Sequence, residues 1–127
     1  MARYTPILGE HLRILSLGYA LDISEDYRWI LVKGFVLPPG FNVPETEVLL
    51  EVPLDYPRSP PGLGSRVYLP RGLLYYGRRL SNLHPASPGW GTWEWMCYQG
   101  IAWNPHQDDL AKFLEMVRAD LTNPPTE

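Results

Sequence analysis

The chain has 127 residues, 45% of them apolar, with 14 prolines, 11 glycines and a net charge of −3. That length suits a single domain over residues 1–127 with a modest core, and the acidic balance argues against a partner bound by neutralising phosphates, so nucleic acid is not expected. No run approaches the roughly 20 apolar residues of a membrane span, and the lone cysteine, Cys97, can form neither an internal disulfide nor a paired redox or metal site.

Met1-Ala2-Arg3-Tyr4-Thr5-Pro6 lacks the charged-then-apolar plan of a signal peptide, so a cytoplasmic protein with a reduced thiol is expected. Leu8, Leu12 and Leu15, with Tyr19 beyond them, recur at helical spacing and predict a first helix from about Leu8 to Leu17, stopped at Gly18. The period then changes. Tyr19 to Ile23 reads as a weak strand, Tyr27 to Leu37 as a strong one closed by Pro38-Pro39, Glu47 to Pro53 as another, and Arg66 to Leu69 as a short fourth. The first three have connections too short for parallel crossovers, which predicts an antiparallel meander.

From about Leu73 to Ala102 no period is sustained, and turn residues interleave with Tyr75, Tyr76, Trp90, Trp93, Trp95 and Tyr98. This stretch reads as a long loop, with Trp90, Trp93, Trp95 and Trp103 packing it onto the sheet. A last helix follows, carrying Leu110, Phe113, Leu114, Val117 and Leu121 on one face. Asn104 is its expected N-cap, Pro105 its first residue and Gln107 the capping-box partner; Asp108 and Asp109 suit the dipole of the first turn, and Asn123-Pro124-Pro125 ends the helix. The expected class is thus α+β: an N-terminal helix, an antiparallel sheet of about four strands, a long loop and a C-terminal helix.

Three stretches carry a more specific signal: Leu37-Pro38-Pro39-Gly40-Phe41-Asn42; Val48-Leu49-Leu50-Glu51-Val52-Pro53-Leu54-Asp55-Tyr56-Pro57-Arg58-Ser59-Pro60-Pro61; and Cys97 followed by Trp103-Asn104-Pro105. A strand running into Tyr-Pro-x-x-Pro-Pro, then a cysteine, then Trp-x-Pro before a helix resembles the ubiquitin-conjugating (UBC-like) superfamily, and within it the prokaryotic branch called family E. The resemblance spans about residues 8–121. It implies that Cys97 accepts the C-terminus of a bacterial ubiquitin-like protein as a thioester and passes it to an amine, which divides acyl transfer into two easier steps. It also implies a ThiF-like activating enzyme, a JAB-type peptidase as a further partner, a setting in antiphage defence, and no cofactor in this domain, since adenylation belongs to the activating enzyme.

The chain departs from the family where His-Pro-Asn is usual: it reads His84-Pro85-Ala86, and alanine cannot donate a hydrogen bond to an oxyanion. Asn82, His84 and Gln99 are the candidate substitutes. Asp108, by resemblance, orients or deprotonates the incoming amine; read from its own surroundings it serves the helix dipole. His11 and His106 share no ligand spacing, so no metal site is expected. The alternative reading is an inactive UBC-like module that binds a ubiquitin-like protein or scaffolds a conjugation complex, which the missing asparagine favours. A tryptophan platform for sugars or bases is a third reading, set aside because of the Tyr-Pro-x-x-Pro-Pro context.

Overall fold

Thr5 starts the first helix earlier than its leucine spacing suggests. Its hydroxyl accepts from the Leu8 N–H at 3.2 Å and Pro6 takes the first helical position, so α1 runs over Pro6–Ser16. The computed structural model describes residues 4–62, 66–85, 92–98 and 101–127. Three strands follow as expected: β1 (Ala20–Ile23), β2 (Trp29–Val36) and β3 (Glu45–Glu51), each antiparallel to the next. Gly34, at φ +80°, interrupts the β2–β3 register between Val32 and Phe35 and lets Phe35 turn into the core.

The chain then passes through the tyrosine-proline turn. Tyr56 is 5% exposed and packs with the core, while the Trp103 indole N–H donates to the Pro57 carbonyl at 2.7 Å. Beyond it come β4 (Arg66–Pro70), the short hairpin of β5 (Leu74–Tyr75) and β6 (Arg78–Arg79), then β7 (Leu83–Pro85), β8 (Trp93–Cys97) and helix α2 (Leu110–Asp120).

The sheet holds six strands in the order β1-β2-β3-β4-β8-β7, rather than about four, and β5–β6 form a separate ribbon. The expected long loop therefore contains four strands. Each of β5, β6 and β7 is only two or three residues long, too short to show a period. In β8 the polarity is inverted: Glu94 and Met96 are buried, whereas Trp93, Trp95 and Cys97 lie on the other face. Trp93 and Trp95 thus do not pack onto the core. Trp95 instead meets the Arg66 guanidinium and the His84 ring, each 4.3 Å from its centroid. Trp90 lies outside the described residues.

One core joins both helices to one face of the sheet. Leu8, Leu12 and Leu15 meet Phe113, Leu114 and Val117 over Ile30, Val32, Leu50, Val67, Leu69 and Met96, and each fully buried side chain of this kind contributes about 1.5–3 kcal/mol. Arg118 fastens α2 to the β2 bulge: its Nε donates to the Val36 carbonyl at 2.9 Å and its guanidinium lies 4.7 Å from the Phe35 ring centroid.

Helix α2 starts later than expected. Asn104 closes a single turn, its carbonyl accepting from the N–H of Gln107 and of Asp108 and its side chain from His106. The N-cap of α2 is Asp109, which is extended and accepts from the Lys112 N–H at 2.8 Å. Among the described residues no helix is long and apolar enough to cross a membrane.

Two interactions yield stability predictions. Glu94 is 4% exposed in its side chain and is held by Arg79 at 2.5 Å. Arg79→Met leaves that carboxylate buried and uncompensated and is expected to cost about 2–3 kcal/mol in urea unfolding, a loss that Arg79→Met/Glu94→Leu recovers in large part. The second is the His11 Nδ1–Tyr56 hydroxyl contact of 2.7 Å. Burial holds the imidazole below its ordinary 6.5, and burial with the nearby Asp109 carboxylate raises the phenol, so the phenol donates to a neutral ring. The unfolded chain binds the extra proton first, so stability falls as the pH drops below about 6.5. Thermal unfolding at pH 7.5 and 5.5 should show a smaller acid-induced loss in His11→Gln than in the parent.

Candidate functional site

The end of β8 sets the position of the thiol. Met96 and Tyr98 flank Cys97 and are both buried, at 1% and 6% exposure, so the intervening Cys97 side chain falls on the opposite side of the strand. Tyr98 anchors this end: its hydroxyl donates to the Pro61 carbonyl at 2.9 Å, its ring packs edge-on to Phe113, and burial pushes its phenol up to about 12. Cys97 itself is half-buried and is not part of the core.

Strand β7 brings the second group. Leu83 pairs with Met96 and His84 with Trp95, Leu83 pointing into the core and His84 outward on the face that carries Cys97. One residue earlier, the Asn82 backbone carbonyl accepts from the Cys97 N–H at 3.2 Å. The Asn82 side-chain NH2 donates back to the Cys97 carbonyl at 3.3 Å. Asn82 is therefore locked to the backbone of the cysteine. Its Oδ1 is buried and accepts no hydrogen bond among the described residues.

The third wall is the end of the chain. Residues 79–81 pair with 125–127: Ser81 N–H donates to the Pro125 carbonyl at 3.0 Å, Glu127 N–H to the Arg79 carbonyl at 2.9 Å, and Leu80 bridges Thr126. The last residue of α2, Asp120, and Asn123 just beyond it complete a cleft of about 520 Å³ lined by Ser81, Asn82, His84, Cys97, Asp120, Asn123 and Pro125. Burial raises the Asp120 carboxyl above the ordinary 3.8. No hydrogen bond or ion pair reaches that carboxylate among the described residues.

The structure thus brings together three of the sequence candidates, Cys97, His84 and Asn82. It does not bring Asp108 to them. The Asp108 carboxylate accepts from the Asn104 N–H at 2.6 Å and closes the turn before α2. Gln99 lies outside the described residues. Asp120, Ser81 and Asn123 were missed because they reach the cleft only through tertiary folding. Asp120 did carry a faint signal: an acid in the last turn of a helix opposes the helix dipole.

This arrangement offers a thiol, an imidazole, a carboxylate and an amide in one cleft. A second depression, of about 500 Å³ beside Ile7, Asp55, Tyr56, Pro57, Arg58, Pro105 and His106, contains no thiol. No group of three His, Cys, Asp or Glu side chains is placed to hold a metal ion among the described residues.

Comparison of the chain with protein-family models, with curated proteins and with solved structures yields no match.

Proposed function

We propose that the chain is a UBC-like conjugating protein that carries a ubiquitin-like protein as a thioester on Cys97 and transfers it to an amine. The observation that carries this reading is the placement of Cys97: half-buried, outside the core, in a cleft shared, among the described residues, with Ser81, Asn82, His84, Asp120 and Asn123. A structural cysteine is buried among apolar groups, whereas a working nucleophile needs access to solvent and polar neighbours. The α+β order of helix, antiparallel sheet and helix accommodates the UBC-like reading.

In the first step the Cys97 thiolate attacks the thioester carbonyl presented by a ThiF-like activating enzyme, and the enzyme's thiolate leaves. In the second an amine attacks the Cys97 thioester, a carbon–nitrogen bond replaces the carbon–sulfur bond, and the Cys97 thiol is regained. His84 lines the cleft and can donate to the transient oxyanion. A JAB-type peptidase would reverse the linkage, and no cofactor is needed in this domain.

One observation favours the alternative, a non-catalytic module that binds the ubiquitin-like protein. One of the two Asn82 amide N–H donors is committed to the Cys97 backbone carbonyl, which ties the side chain to the strand rather than to an oxyanion. One experiment separates the readings. With ATP, the activating enzyme and the ubiquitin-like protein, the carrier reading expects an adduct cleaved by thiol reductant, absent in Cys97→Ala, and blocked when native Cys97 is first alkylated with iodoacetamide. Binding of the partner without any adduct supports the module instead.

A further inference from the structure

We propose that residues 123–127 form a strap that closes one side of the Cys97 cleft and swings at Asn123 to admit bulky groups to the thiol. The strap governs access to Cys97, whatever that thiol reacts with, and so stands apart from the reading of Cys97 as an acyl carrier.

The strap is held firmly at its near end and lightly at its far end. Leu121 is fully buried, the Tyr75 hydroxyl donates to the Thr122 carbonyl at 3.0 Å, and the Thr122 hydroxyl donates to the Arg118 carbonyl at 3.2 Å. The chain is therefore anchored up to residue 122. From there Asn123 and Pro125 line the cleft together with Cys97. The far end lies along residues 79–81 through the bonds from the Ser81 N–H to the Pro125 carbonyl, 3.0 Å, and from the Glu127 N–H to the Arg79 carbonyl, 2.9 Å. The Arg79–Glu127 ion pair adds little, because the Glu127 side chain is 61% exposed. Pro124, between these contacts, is buried.

Segments held in this way open first. Local opening costs least where few buried contacts and few backbone bonds hold the chain, and the far end of the strap is such a place. Proline fixes φ, so residues 124 and 125 move as one stiff piece, and the rotation falls at Asn123, which is exposed and lies beyond α2. With the strap closed the cleft measures about 520 Å³, the size of a small-molecule site. Opening withdraws Asn123 and Pro125 from its lining. The surroundings of the thiol on the sheet side stay the same, because Asn82 is bonded to the backbone of Cys97 and not to the strap. The strap thus selects by size without altering the sulfur.

Two maleimides that share one electrophile separate access from reactivity. Alkylation of Cys97 in the full chain by N-ethylmaleimide and by pyrenylmaleimide is followed by intact mass, with glutathione as the free-thiol reference. The ratio of pyrenyl to ethyl rates should be about tenfold or more lower for the protein than for glutathione, since the larger reagent waits for opening. Glu127→Pro removes both the donor to the Arg79 carbonyl and the ion pair, and leaves the Arg79–Glu94 pair in place. It should raise the pyrenyl rate about fivefold while changing the ethyl rate less than about twofold. Pro124→Gly, which withdraws the buried ring and loosens the backbone of the strap, should act in the same direction. Amide exchange at Ser81, whose N–H donates to the Pro125 carbonyl, should quicken in both variants while exchange in β2 and β3 stays as in the parent, the mark of local opening and not of unfolding. A parent that shows the rate ratio of glutathione overturns the proposal. So does an unchanged ratio in variants whose Ser81 amide exchanges faster, and Ser81 exchange that neither variant alters shows that these contacts do not hold a strap at all. None of these outcomes bears on whether Cys97 carries a thioester.

Discussion

The carboxylate of Glu94, buried on the inward side of β8, is the constraint that ties the far edge of the sheet to the rest of the structure. Removing a carboxylate from water costs several kcal/mol unless a cation accompanies it. The cation here is Arg79, at 2.5 Å, which also donates to the Leu83 carbonyl at 3.4 Å and lies 3.5 Å from Glu127. One guanidinium thus joins β6, β7, β8 and the last residue of the chain. The consequence is a fixed pleat. With Glu94 and Met96 inward, Trp93, Trp95 and Cys97 must face outward, because a slip of one residue would send every side chain to the other face. Glu51 and Arg28 repeat the device at 2.8 Å on the β2–β3 side of the sheet.

This also explains what could and could not be read from the chain. The two helices and the first three strands were legible because each buries its own apolar stripe, and periodicity reports that burial directly: Leu8, Leu12 and Leu15 in α1, Ile30 and Val32 in β2, Val48 and Leu50 in β3. Strand β8 was not legible. In Trp-Glu-Trp-Met-Cys the charge points in and the aromatics point out, an order that makes sense only with Arg79 supplied by another strand. The start of α2 failed differently. Asn104 does cap, but what it caps is one isolated turn, closed by Asp108, before the chain becomes extended at Asp109 and the helix proper begins.

The candidate site shows the same division. Cys97, His84 and Asn82 were nameable because they lie on neighbouring stretches in a suggestive order, and strand pairing does bring them together. Asp108 was named for its place after Trp-x-Pro, yet a backbone N–H already occupies its carboxylate. Asp120 could be found only in three dimensions, because it arrives from the far end of α2.

Asp120 is also where the local rules are broken. Its carboxylate opposes the dipole of the helix that carries it and is partly withdrawn from water without a compensating cation among the described residues. The two fully buried carboxylates among the described residues, Glu51 and Glu94, each have an arginine. Asp120 is only partly buried, so water reaches its carboxylate where it lines the cleft. That contrast separates the acids that fasten the sheet from the one that lines the cleft beside Cys97.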